Sequence, residues 1–145
     1  RRFEVKGTVH GIRVIDDYGH HPTEIHVTLE AARRFADAGR LIVIFQPHRY
    51  SRTQAFAEQF AKELDVADRA ILLEVYAASE KPIEGVNSKI ITSKMSKGEY
   101  IPNFVEVTDS VIADAQPGDV IMTLGAGDVS SLAPIIVEGL TRRFA

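Results

Sequence analysis

Cysteine is absent from this 145-residue sequence, which excludes disulfide bonds and thiolate metal sites. Long apolar runs are missing too, because none approaches the ~18 residues of a membrane span and no signal peptide opens the chain. Positive charge is not in excess, since 17 lysine and arginine residues face 20 acidic ones and the net charge is -3. A nucleic-acid-binding surface normally has a basic excess. The sequence therefore predicts a cytoplasmic protein with neither nucleic acid nor a membrane as a partner.

The motifs of a complete active site are also missing. The sequence has neither the Gly-x-Ser-x-Gly turn of serine hydrolases nor a glycine-rich phosphate loop. Its length corresponds to one domain with a core of its own, and its first residue is Arg1 rather than methionine. We therefore expect an excised or trimmed domain that supplies one half of an active site.

Strands and helices alternate along the chain. The run Leu41–Phe45 is apolar on both faces, as a parallel strand between two helical layers must be. Ile25, Leu29 and Ala32 form an apolar stripe on a helix that begins at Pro22. The other predicted elements are strands at 2–9, 11–16, 69–75, 104–107 and 120–124, and helices from about 52, at 88–97, at 108–115 and from near 131 to 143, unless Pro134 kinks the last. This pattern predicts a Rossmann-like, three-layer α/β domain with a mostly parallel sheet of about six strands and an N-terminal hairpin-like strand pair.

Polar side chains follow the second predicted strand. They are Asp16, Asp17, Tyr18, His20 and His21. In an open α/β sheet, ligands bind at the carboxyl ends of the strands. The carboxylates suit ribose hydroxyls or a cation there, although a solvated strand end or a local turn would use them equally well. Adjacent histidines rarely point the same way, so we assign no metal site to them.

A second polar group, His48, Arg49 and Arg52, follows the strand Leu41–Phe45. Guanidinium groups bind carboxylates bidentately. The alternative is a solvated helix start, which is disfavoured because positive charge opposes the helix dipole unless an anion is bound. A third group follows the predicted strand at 120–124 and consists of Gly125, Ala126, Gly127 and Asp128. Its two glycines either let the backbone approach a ligand closely or form only a tight turn.

Five segments carry a family resemblance. They are Arg2-Phe3-Glu4, Asp17-Tyr18-Gly19-His20-His21-Pro22, Gln46-Pro47-His48-Arg49-Tyr50-Ser51-Arg52-Thr53, Glu74-Val75-Tyr76-Ala77-Ala78 and Gly125-Ala126-Gly127-Asp128. Together they resemble the C-terminal domain of the Mur ligase family. The resemblance implies that residues 1–145 are the amino-acid-binding domain of an ATP-dependent amide ligase of peptidoglycan synthesis. It also implies a UDP-binding domain and a central ATPase domain outside this chain, the latter holding most of the ATP and Mg²⁺.

The resemblance also implies roles for individual residues. Arg2 and Asp17 would reach the ribose of ATP. The amino-acid side would be formed by Tyr18, His20, His48, Arg49 and Arg52, with Gly125, Ala126, Gly127 and Asp128 as the adjacent wall. The group that deprotonates the incoming amine is left open between His20 and His48. Because phosphate binding would lie elsewhere, we expect the isolated domain to be inactive.

Within the family, the run from His48 to Arg52 is most similar to ligases that join L-alanine to UDP-N-acetylmuramate. The nearest alternative is a recycling ligase that attaches a preformed tripeptide to the same sugar nucleotide. A non-catalytic module that binds anions or nucleotides is the alternative from another class. A Gly-Lys-Thr phosphate loop in the upstream coding sequence would favour the ligase.

Overall fold

The computed structural model describes residues 1–145 and contains one six-stranded sheet. The strands are β1 (Glu4–Val9), β2 (Ile12–Asp17), β3 (Leu41–Phe45), β4 (Arg69–Leu72), β5 (Gly98–Tyr100) and β6 (Val120–Leu124). Their order is β1-β2-β6-β3-β4-β5, with β1 antiparallel to β2 and all other pairs parallel. His10 and Gly11 join β1 to β2 with φ angles of 50° and 78°, as two-residue hairpin turns require. The predicted α/β fold with an N-terminal strand pair is confirmed.

Helices cover both faces of the sheet. They are α1 (Pro22–Ala36), α2 (Tyr50–Leu64), α3 (Lys89–Thr92), α4 (Phe104–Asp114) and α5 (Leu132–Arg143), with a 3-10 turn at Asp128–Ser131. Successive strand residues point to opposite faces, so Val43 and Phe45 join the core beneath α1 and α2. Ile42 and Ile44 join the core beneath α4 and α5. None of the helices has the length and apolar character needed to cross a bilayer.

The predicted strand at 104–107 is wrong, because these residues form the first turn of α4. Asn103 caps this helix by accepting a hydrogen bond from the amide of Glu106 at 3.0 Å. Val107 and Val111, four residues apart, are buried on its core-facing side. The edge strand is instead β5, which pairs with β4. A four-residue segment such as Phe104–Val107, with apolar residues on either side of Glu106, is too short to distinguish a strand from a helical turn.

Other boundaries differ by a few residues. The helix predicted over 88–97 is shortened to α3, and the amide of Ser96 donates to Asp65, directly after α2, at 3.1 Å instead of to a helical carbonyl. Helix α2 begins at Tyr50 rather than near residue 52, and β4 ends at 72 rather than 75. Pro134 lies in the first turn of α5. Backbone N–H groups there have no helical acceptor, so a proline is tolerated without a kink.

Candidate functional site

The polar segments predicted as a site meet at the carboxyl edge of the sheet. Strand β6 lies between β2 and β3, and Leu124 at its end pairs with both Asp17 and Phe45. The segments that follow these strands therefore begin side by side. They bring the rings of His20 and His48 to 5.6 Å between centroids. Imidazole and guanidinium groups from separate parts of the sequence thus share one edge.

Asp17 has a buried carboxylate, and only 1% of the residue surface is exposed. Its Oδ1 accepts hydrogen bonds from the Gly19 amide at 2.7 Å and the Thr28 hydroxyl at 3.4 Å. Its Oδ2 accepts one from the Phe3 amide at 2.8 Å. The bond from Gly19 is the local turn offered as the alternative use of this carboxylate, and the bonds from Phe3 and Thr28 add links to the segment before β1 and to α1 that the sequence did not predict. A contact from this carboxylate to ribose would have to replace one of the three donors.

Two arginines at the start of the chain lie beside the aspartates. The Nη1 atom of Arg2 is 3.9 Å from Asp17 Oδ1, and its side chain is 56% exposed. The Nε atom of Arg1 donates to Asp16 Oδ2 at 2.9 Å, and its Nη2 donates to the Gly125 carbonyl at 2.9 Å. Arg1 therefore ties the ends of β2 and β6 together, which sequence reasoning missed. Arg2 also donates from Nη1 to Glu24 Oε2 at 3.3 Å, and more than half of its side chain stays exposed.

The ring of His48 is oriented by Arg52. The Nη1 atom of Arg52 donates to His48 Nδ1 at 3.1 Å and to the His48 carbonyl at 3.0 Å. Because a guanidinium only donates, Nδ1 carries a lone pair and the proton of the neutral ring lies on Nε2. Burial lowers the pKa of His48, and the charges of Arg52, His20 and Arg49 lower it further. The ring is therefore a neutral hydrogen-bond donor at neutral pH.

His20 has the opposite arrangement. Its Nδ1 lies 3.2 Å from the Tyr18 carbonyl and 3.6 Å from Glu24 Oε1. When the ring is neutral, these two oxygen atoms favour a proton on Nδ1 and a lone pair on Nε2. Glu24 also accepts hydrogen bonds from the amides of His20 and His21, at 3.3 and 3.1 Å, at the start of α1. Burial opposes ionisation of Glu24, but these amide hydrogen bonds, together with the nearby charges of His20 and Arg2, lower the pKa of its carboxyl.

Arg49 has a backbone conformation that non-glycine residues rarely adopt, with φ 74° and ψ 138°. Its amide donates to the Tyr76 carbonyl at 2.8 Å, and its own carbonyl accepts from the Thr53 hydroxyl at 2.8 Å. Such strain costs about 1–3 kcal/mol and is concentrated at functional sites. The residue is exposed, so its guanidinium is open to a ligand.

The segment after β6, formed by Gly125, Ala126, Gly127 and Asp128, lies against the end of β3. Gln46 donates to Asp128 Oδ1 at 2.7 Å and is itself buried. Gly125 has φ 146°, and a Cβ at this position would lie 2.8 Å from the Gln46 carbonyl. Glycine is therefore required for this close approach. The segment therefore packs closely against Gln46, directly after β3.

Tyr76 belongs to one of the five segments of the family resemblance, although the sequence predicts no site role for it. Its ring stacks on His48, with 5.6 Å between centroids and 18° between planes. Gly127 makes room for it, because a Cβ there would lie 2.6 Å from the Tyr76 ring. The signal was available, since Tyr76 follows a buried parallel strand just as the predicted site segments do.

The protein-family model described as "Mur ligase, glutamate ligase domain" matches residues 1–127. The chain belongs to the Mur ligase family. This Mur ligase domain is 49% identical over 140 residues to the UDP-N-acetylmuramate–L-alanine ligase of Paenarthrobacter aurescens strain TC1, covering 97% of the chain. It is also 49% identical over 147 residues to the ligase of the same name from Mycobacterium ulcerans strain Agy99, covering 99% of the chain. The domain spans 30% of the length of each of these relatives.

Solved structures show the same fold. The Mur ligase domain superposes on a UDP-N-acetylmuramate-alanine ligase from Thermotoga maritima with a TM-score of 0.79 at 28% identity, covering 99% of the domain and 30% of that chain. A murein peptide ligase from Psychrobacter arcticus gives a TM-score of 0.80 at 22% identity, covering 97% of the domain and 30% of that chain. The second likeness, at this identity, concerns the fold alone.

Proposed function

We propose that the protein containing this Mur ligase domain is an ATP-dependent ligase that adds L-alanine to UDP-N-acetylmuramate in peptidoglycan synthesis, and that residues 1–145 bind the amino acid. One observation carries the proposal. His20, His48 and exposed Arg49 lie at one edge of the sheet, in a chain 49% identical to two ligases of that name. We further propose that the reaction takes place in the cytoplasm.

The amino-acid side of the site matches the chemistry of L-alanine, which offers a carboxylate, an ammonium group and one methyl group. Arg49 is our proposed carboxylate ligand, because its residue is exposed at the site. Each charge-assisted hydrogen bond of this kind contributes about 1.5–3 kcal/mol. Arg52 acts through His48, whose ring it orients. Tyr18 is exposed and lies next to His20, with 5.0 Å between the centroids of the two rings.

The two histidines have different proposed roles, because their neutral rings carry the proton on different nitrogen atoms. Nε2 of His20 has a lone pair, so His20 is our proposed acceptor of the proton that the alanine amine loses. Nε2 of His48 carries a proton, so His48 is our proposed donor to an oxygen of the substrate carboxylate or of the tetrahedral intermediate. The two rings are close enough to face one substrate.

In the proposed reaction, the sugar-nucleotide carboxylate attacks the γ-phosphoryl group of ATP, forming an acyl phosphate and ADP. The alanine amine then attacks the acyl carbon, and inorganic phosphate leaves as the amide forms. We assign the phosphates and Mg²⁺ mainly to a central domain outside this chain. Arg2 is the proposed contact to ribose, since its guanidinium is exposed beside Asp17. Asp17 would join it by exchanging one of its internal donors for a ribose hydroxyl.

The recycling ligase is the alternative reaction within the family. The murein peptide ligase shares the fold at 22% identity, which favours no particular reaction, whereas the two L-alanine ligases are 49% identical to this domain. A non-catalytic anion-binding or nucleotide-binding module has no comparable support.

A coupled ADP-release assay on the full-length protein tests the proposal. The assay supplies ATP, Mg²⁺ and UDP-N-acetylmuramate with L-alanine, other L-amino acids or a preformed tripeptide. We expect ADP release that requires L-alanine. Release that prefers the tripeptide would replace the proposal with the recycling ligase, and no release with any acceptor would favour the non-catalytic module.

A further inference from the structure

The N-terminus of α2 already holds a carboxylate of the chain itself. Glu80, in the loop after β4, accepts a hydrogen bond from the Ser51 amide at 2.9 Å on Oε1, and its Oε2 accepts one from the Ser51 hydroxyl. The positive charge before α2 would otherwise oppose the helix dipole. The carboxylate of Glu80 therefore takes the place of the bound anion that the sequence predicted at this helix start. A substrate carboxylate must rely on the side chain of Arg49 rather than on these helix amides.

Both chain segments of this contact have unusual backbones. Ala78 and Ser79, directly before Glu80, have φ angles of 51° and 69°, and Arg49, directly before α2, has a φ of 74°. Non-glycine residues in such conformations persist only where surrounding contacts hold them. The amide of Arg49 donates to the Tyr76 carbonyl at 2.8 Å, which joins the two segments at a second point. Glu80 and Tyr76 therefore hold one corner of the site from the same loop.

Resting on the proposed function, we propose that Glu80 is a positioning residue of the amino-acid site. Its carboxylate holds the N-terminus of α2 and keeps Arg49 in the strained conformation that presents its guanidinium to the substrate carboxylate. Glu80 does not touch the substrate.

The charge of Glu80 fits this role. The hydrogen bonds from the Ser51 hydroxyl and amide lower the pKa of the Glu80 carboxyl, and the nearby charge of Arg49 lowers it further. The carboxylate is therefore ionised at neutral pH, where it both accepts the two hydrogen bonds and attracts Arg49.

The test compares Glu80→Gln with Glu84→Gln in the full-length protein. Glu84 is an exposed carboxylate of the same loop, so it controls for charge removal. We expect Glu80→Gln to raise the KM for L-alanine about tenfold or more, with the KM values for ATP and UDP-N-acetylmuramate within about twofold of wild type. Hydrogen exchange of the amides at 49–53 should also become faster in Glu80→Gln and stay unchanged in Glu84→Gln.

Two results would overturn the proposal. One is an unchanged KM for L-alanine in Glu80→Gln, and the other is a parallel loss for all three substrates together with a lower melting temperature, which would mean a purely structural role. If wild-type protein shows no ADP release that depends on L-alanine, the proposed function fails. In that case, hydrogen exchange of the amides at 49–53 tests whether Glu80 holds the N-terminus of α2. Equal exchange rates in Glu80→Gln and Glu84→Gln would show that it does not.

Discussion

At the scale of single residues, two histidines of similar sequence context are made chemically different by their neighbours. Arg52 donates to Nδ1 of His48, whereas the Tyr18 carbonyl lies beside Nδ1 of His20. The free Nε2 atom is consequently a donor in one ring and an acceptor in the other. Residue type and spacing do not reveal this difference, because both tautomers are forms of the same neutral side chain.

We expect His20→Gln to lower kcat for L-alanine ligation about 100-fold or more, because it removes the proposed proton acceptor. His48→Gln should lower kcat only about tenfold, because glutamine retains an N–H donor. Steady-state ADP release at saturating substrates measures both variants. A larger loss in His48→Gln than in His20→Gln would reverse the assignment.

Arg49 offers a second prediction at this scale. We expect Arg49→Gly to raise the KM for L-alanine about 10- to 100-fold through loss of the charged hydrogen bonds. Glycine is chosen because it tolerates the positive φ of this position. Arg34→Ala, which removes an exposed arginine of α1, is the control. Wild-type protein that used alanine amide as well as alanine would contradict carboxylate recognition by Arg49.

At the scale of elements, α1 and α2 are joined by His26. Its Nδ1 lies 2.6 Å from Glu63 Oε2 on α2, and its Nε2 lies 3.0 Å from Glu30 Oε1 on α1. Lys62 is the cation that lines the same groove. The hydrogen bond to Glu63 and the charge of that carboxylate raise the pKa of His26 above its ordinary value of 6.5. The link is therefore strongest when the ring is protonated.

The pH dependence follows from this direction of shift. A group whose folded pKa is raised stabilises the fold fully below its unfolded pKa, and that contribution is lost as the pH rises through the folded pKa. We expect His26→Gln to lower the melting temperature of the domain at about pH 5.5 and to match wild type at about pH 9. Thermal unfolding by circular dichroism measures both. A melting-temperature difference that is equal at the two pH values would contradict the link.

The segment between β6 and α5 gives another prediction at this scale. In Gly127→Ala, the new Cβ would lie 2.5 Å from Gln46 Oε1 and 2.6 Å from the Tyr76 ring. Relief of these contacts should move Tyr76 away from His48 and destabilise the domain by about 1–3 kcal/mol. Urea unfolding measures the free energy, and an unchanged unfolding midpoint would show that the wall is less tightly packed than this.

At the scale of the whole molecule, the domain carries one side of the proposed reaction. It has no phosphate loop and spans 30% of the length of its curated relatives. We expect residues 1–145 alone to release no ADP from ATP, UDP-N-acetylmuramate and L-alanine, whereas the full-length protein does. ADP release by the isolated domain above the buffer rate would contradict the division of labour between domains.

Much of the fold was predictable because its signals are local. Leu41–Phe45 and Val120–Leu124 are buried over their full length. The first is apolar throughout and the second is apolar except for Thr123, and such runs predict strands covered on both faces. Helix α4 was partly missed because its first turn reads equally well as a strand, and its helical state depends on the Asn103 cap and on packing of Val107. The meeting of the polar segments at one sheet edge was predictable from their positions after strands, whereas the stacking of Tyr76 on His48 and the contact of Glu80 with Ser51 were not.

By itself, the sequence determined the layered α/β fold, the family resemblance and the edge of the sheet where polar groups gather. These depend on hydrophobic periodicity and on the order of residues, both of which can be read directly from the sequence. Only the tertiary structure decided that Asp17 is buried among internal donors, that His20 and His48 have opposite tautomers, and that Glu80 occupies the start of α2. The Glu80 contact joins segments 29 residues apart, whereas the bonds to His20 and His48 come from residues two and four positions away. All of them depend on the direction in which side chains and carbonyl groups point, which is set only when the chain is folded.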